Sequence, residues 1–92
     1  MAKPFDEKPP GLMHFLTDEV RQRYYADLLL ERAEAAGHGK PAPLASFNAF
    51  DVSFGPEEVV IKHRYYEDWI PVRLSRNDFI IALKRWRAEL ES

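Results

Sequence analysis

The chain has no cysteine among its 92 residues, which excludes disulfides, thiol catalysis, iron–sulfur clusters and cysteine-ligated zinc. It has four glycines, and none sits in a glycine-rich loop of the kind that cradles phosphate. Apolar runs such as Leu28–Leu30 fall far short of the roughly 20 residues that cross a bilayer. No apolar run follows a basic start, so no secretory signal is expected, and a reducing, cytoplasmic setting is the expectation. A strong charge of either sign is missing as well. The formal net charge is −2, so contact with nucleic acid would need a local basic patch rather than attraction by the whole molecule.

Catalytic constellations are also wanting. The serines are Ser46, Ser53, Ser75 and Ser92, and none lies in a nucleophile-elbow context. Carboxylates are adjacent at Asp18-Glu19, Glu57-Glu58 and Glu67-Asp68. Each pair reads as part of a turn or a first helical turn, where acidic residues are structurally favoured. His14, His38 and His63 show no ligand spacing such as i, i+4. The expectation is therefore no metal, no cofactor and no enzymatic activity.

What is present is an ordinary soluble balance, 46% apolar and 30% charged residues, with a rich aromatic share of 13%. A chain of this length makes one domain and buries only about 60–65% of the surface its unfolded form exposes. Residues 1–11 hold three prolines and four charged side chains and read as a flexible arm, with Phe5 as a docking anchor if it docks at all. Residues 12–92 read as a single α+β domain in the order α-β-β-β-α.

Leu12–Ala36 is expected to be mainly helix, with Thr17 as an N-cap and Gly37-His38-Gly39 as its end. It carries two apolar stripes. One is Leu16, Val20, Tyr24 and Leu28. The other is Tyr25, Ala26, Leu29, Ala33 and Ala36, whose alanines suit close approach of a second helix from this chain or from a partner. Three strands follow: a first within Leu44–Phe54, with Phe50, Val52 and Phe54 on one face and Asp51 and Ser53 on the other, then Val59–Tyr66, and Trp69–Leu74. Pro71 argues that the third lies at an edge. Ser75 then caps a final helix whose apolar stripe is Phe79, Leu83, Trp86 and Leu90. The expected architecture is a three-stranded antiparallel meander packed on one face by two helices.

Pairing Phe54 with Val59, and Tyr66 with Trp69, fixes a register. Val52, Ile61 and Leu74 form one inward row, and Phe50, His63 and Val72 another. Lys62, Arg64, Tyr66, Trp69 and Arg73 then face outward, with Lys62 and Arg73 opposed at a cost of a few tenths of a kcal/mol (~0.2–0.5). Cations interleaved with flat rings match two uses. One is protein recognition, where tyrosine, tryptophan and arginine dominate the energetics. The other is a platform for single-stranded nucleic acid. The plainer reading is a solvated sheet face with arginine stems lying over rings. Acidic neighbours such as Asp51 and Glu67 weigh against phosphate, so protein binding is the favoured expectation. His63 reads as a half-buried histidine bonded to a neighbour. Ile81 points away from the stripe of the last helix, and with Ala26, Leu29 and Ala33 it marks a surface for self-association as a homodimer.

Overall fold

Leu12, Phe15, Leu16 and Glu19 stand at i, i+3, i+4 and i+7, and Ala26, Leu29, Leu30 and Ala33 repeat that spacing. A single continuous helix would have to bury positions 22 and 23 between them, and those are Gln22 and Arg23. The computed structural model, which describes residues 11–91, avoids that cost by breaking the helix. The first helix, α1, is Leu12–Glu19, and α2 is Arg23–Gly37. Val20 leaves helical geometry at φ −99 and ψ 69 and stays buried, while Arg21 and Gln22 are released to solvent. The one long helix expected from residue 12 to 36 is thus two. Thr17 lies inside α1 and caps nothing; its hydroxyl donates back to the carbonyl of Met13 at 2.9 Å. Asp18 and Glu19 end α1 rather than begin a helix.

Gly11 precedes α1 at φ +92, a conformation that L side chains resist. A Cβ there would meet Val72 Cγ2 at 2.9 Å, so the absent side chain also lets the chain cross the sheet closely. The rest of the arm, residues 1–10 with Phe5, lies outside the described residues. At the far end of α2, Gly39 at φ +72 completes the stop, with the Lys40 amide donating to Ala35 O at 2.9 Å.

Among the described residues the sheet has four strands rather than three: β1 Ala45–Ser46, β2 Phe50–Phe54, β3 Glu58–His63 and β4 Val72–Ser75, antiparallel in the order 1-2-3-4. The extra strand is two residues long, too short for an alternation pattern to show it. The pairing of β2 with β3 matches the sequence register, with Phe54 opposite Val59 and Phe50 opposite His63. The pairing of β4 does not. Ile61 faces Val72, Val59 faces Leu74, and Val60 faces Arg73. The strand is shifted by two residues, and the expected opposition of Lys62 to Arg73 does not occur.

The cause is visible at the end of β3. His63 Nδ1 accepts the amides of both Tyr65 and Tyr66 at 3.1 Å, so those donors leave the ladder and the strand stops. The connection from Arg64 to Pro71 is a wide loop instead of a tight turn. A two-residue shift preserves which face each side chain occupies. Ala45, Val52, Ile61 and Val72 therefore form one inward row and Phe54, Val59 and Leu74 another, all buried or half-buried.

The last helix, α3, is Arg76–Glu91, and Ser75 Oγ accepts the Asp78 amide at 3.0 Å as its cap. The helices cover one face of the sheet, with α2 and α3 packed against each other. Phe15, Phe50 and Phe79 are fully buried at the centre, Phe15 and Phe50 edge to face at 5.5 Å. The chain is an α+β domain, and among the described residues no helix is long and apolar enough to cross a membrane.

Candidate functional site

The outward residues named from sequence divide into two groups. Lys62 and Arg73 lie on the open face of the sheet, beside Asp51, Ser53 and Glu58. Arg73 pairs with Glu58 at 3.3 Å. Arg64 follows β3 and extends its ladder, its amide donating to Ala49 O at 2.8 Å. Its guanidinium donates to Phe47 O at 2.9 Å and lies 3.6 Å from Asp51 Oδ1, an ion pair too long to be a hydrogen bond.

Trp69 and Tyr66 are not with them. Trp69 packs on the core side, its ring 5.2 Å from Phe50 and 6.0 Å from His63. Tyr66 tilts over His63 at 4.7 Å. The interleaved cation and ring platform expected on one face is therefore not assembled. The reason is the shortened β3: once the strand ends at His63, the loop curls toward the helix side.

That loop presents a different surface. Ile70 is 83% exposed, Tyr66 69% and Tyr65 68%. A strand continuing to Tyr66 would turn Tyr65 inward; because β3 ends at His63, Tyr65 stands in solvent instead. The loop is nevertheless pinned. His63 Nδ1 holds the two tyrosine amides, the Trp69 amide donates to Tyr66 O at 3.1 Å, and the Trp69 ring is wedged against Phe50. Because Nδ1 accepts, the His63 proton lies on Nε2. Arg64 spans the root of the loop, with its guanidinium carbon 5.6 Å from the Tyr65 ring centroid.

The residues proposed for self-association fare unequally. Ala26, Leu29 and Ala33 are 0% exposed, covered by this chain's own core. Their stripe receives a helix as expected, and the helix is α3 of the same chain. It offers nothing to a second copy. Ile81 remains 49% exposed on α3.

A second feature was not foreseen. A polar cleft of about 690 Å³ opens where the α1–α2 break meets the β1–β2 hairpin. Asp18, Glu19, Arg21, Gln22 and Tyr25 line one side, and Ser46, Phe47, Asn48 and Arg64 the other. Glu19 is buried, and its Oε2 accepts the Ala49 amide at 2.8 Å, which ties the end of α1 to the hairpin. The signal was in the sequence: Glu19 occupies the fourth inward position of the Leu12, Phe15, Leu16 stripe. Asp18 pairs with His14 at 2.8 Å. Among the described residues no group of three or more histidines and carboxylates is arranged to hold a metal ion.

No family model matches the chain, no curated protein matches its sequence, and no solved structure matches its fold.

Proposed function

We propose that the chain is a non-catalytic protein-binding module and that its contact surface is the Arg64–Pro71 loop. The observation that carries this reading is the combination of exposure and fixation. Tyr65, Tyr66 and Ile70 stand largely in solvent on a segment anchored at both ends by hydrogen bonds and by a half-buried tryptophan. Exposed apolar side chains that are already held in place lose little conformational freedom on binding, and tyrosine beside arginine is the composition of interface hot spots. Single-stranded nucleic acid has less support, since Lys62 and Arg73 are separated from Trp69 and Tyr66 by the thickness of the sheet. Self-association keeps Ile81 and could extend to Ile70, and the cytoplasm remains the expected location for a chain without cysteine.

The test is a comparative capture from the native host with the wild-type chain and a Tyr65→Ser/Ile70→Ser variant. Both positions are exposed, so each substitution should leave the unfolding free energy within about 0.5 kcal/mol of wild type. A specific partner retained by wild type and lost by the folded variant supports the reading. Equal capture by both, or no specific partner for either, defeats it. Sedimentation velocity over a dilution series reports self-association separately.

A further inference from the structure

We infer that the cleft between the α1–α2 break and the β1–β2 hairpin binds a small zwitterion of the α-amino acid class. The inference is independent of the protein-contact loop.

Size comes first. About 690 Å³ lies within the range of small-molecule sites, roughly 300–1,000 Å³. The cleft is also built from three separate parts of the chain: the break at Val20–Gln22 with the flanking helix ends, the β1–β2 hairpin, and Arg64, the residue that follows β3. Glu19 joins the first two through Ala49, and Arg64 joins the last two through Phe47 O. The walls are therefore held, while their tips are not.

Charge decides the ligand class. The lining carries two carboxylates, Asp18 and Glu19, and two guanidinium groups, Arg21 and Arg64. A simple anion would meet two negative groups, and a simple cation two positive ones. A molecule with both signs a few bonds apart satisfies both. Each sign has unspent capacity. Arg21 makes no hydrogen bond or ion pair among the described residues. Arg64 uses one terminal nitrogen on Phe47 O and turns its Nε toward Asp51 at 3.6 Å, which leaves its second terminal nitrogen available. Glu19 engages one oxygen on Ala49 and keeps the other for a donor, as an ammonium would supply. The Ser46 hydroxyl and the Asn48 and Gln22 amides add neutral donors and acceptors on the exposed rim. Tyr25 and Phe47, edge to face at 5.9 Å, give an apolar wall for a side chain.

The probes are glycine, L-leucine, L-phenylalanine and L-glutamate, each titrated into isotopically labelled full-length protein and followed by NMR. Phenethylamine and 3-phenylpropionate, which keep the ring but lack one charge each, are the controls. At least one amino acid should give saturable shifts at the Ser46–Ala49 amides and the Asn48 and Gln22 side-chain amides. Each single-charge control should bind at least tenfold more weakly than phenylalanine if phenylalanine is the ligand, and the corresponding analogues serve for another winner. Arg21→Ala removes an exposed group with no packing role and should weaken binding tenfold or more. Glu19→Gln keeps an oxygen for the Ala49 amide but loses the charge, and it should weaken the amino acid while sparing the carboxylate control. The absence of saturable shifts with all four amino acids overturns the inference. So does equal binding of a single-charge control, an unchanged Arg21→Ala titration, or shifts that map to Lys62 and Arg73 instead.

Discussion

The indole N–H of Trp86 donates to the carbonyl oxygen of Val20 at 2.6 Å. Val20 sits in the gap between α1 and α2, where its carbonyl points away from any helical partner. A tryptophan on the third helix, 66 residues away, thus satisfies a backbone group that the break would otherwise strand. The bond explains why the break is tolerated and why the cleft beside it keeps its shape.

Trp86→Phe preserves most of the packing and removes that donor. Leaving the partly buried carbonyl unpaired is expected to cost about 1–3 kcal/mol. Urea denaturation measures it, and a midpoint equal to wild type would show that water replaces the indole without loss.

Glu19→Ala should open the link between α1 and the hairpin. Loss of a charge-assisted hydrogen bond at a partly buried site corresponds to about 1.5–3 kcal/mol. The local readout is hydrogen exchange at the Ala49 amide, which should accelerate far more than the amides of β3. Uniform acceleration across the sheet would mean that the bond contributes only to global stability.

Gly11→Ala forces an L side chain into positive φ and drives its Cβ against Val72 and Trp69. The conformational term is about 1–2 kcal/mol, and the contact at 2.9 Å adds to it. The near-ultraviolet circular dichroism of Trp69 should change with it, because the ring lies 3.1 Å from the added carbon. An unchanged spectrum and midpoint would place the start of α1 elsewhere.

Asp27 is held below its ordinary value of 3.8, first by the hydrogen bond from Arg87; desolvation is the next largest effect and opposes it, and the charges of Arg23 and Arg87 with the Arg23 hydrogen bond tip the balance downward. Arg87 donates to it at 2.8 Å and Arg23 approaches at 3.4 Å, joining α2 to α3. A lowered folded value means that the pair stabilises the fold above pH 3.8 and that this contribution is lost as the pH falls through the folded value. Asp27→Asn should therefore be less stable than wild type near neutrality, and the difference should shrink on acidification below that point. The carboxylate is about half exposed, with 46% of its side-chain surface open to solvent, so the effect is small and should fade with added salt. A difference that persists unchanged at acid pH would trace to packing rather than charge.

Period-two alternation gave the faces of the strands correctly, down to Ile61 inward and Lys62 outward. Turn chemistry at Gly55-Pro56 gave the β2–β3 register, and the Ser75 cap gave the start of α3. These are short-range properties, set by neighbours within a few residues, so sequence carries them directly.

Other features depended on groups brought together from afar. Parity cannot distinguish a strand from the same strand shifted by two, so the pairing of Ile61 with Val72 rather than Leu74 was settled by where His63 captured two amides. An apolar stripe on a helix states that something covers it and not what. The Ala26, Leu29 and Ala33 stripe is covered by α3 of the same chain. The helix break at Val20 had a local cause in Gln22 and Arg23, yet it is sustained by Trp86, and the cleft follows from the break. Alternation and capping chemistry determined the class and the faces of this protein. The register of its edge strand, the side on which Trp69 lies and the cleft were decided only when distant backbone donors and acceptors had to find partners in one packed interior.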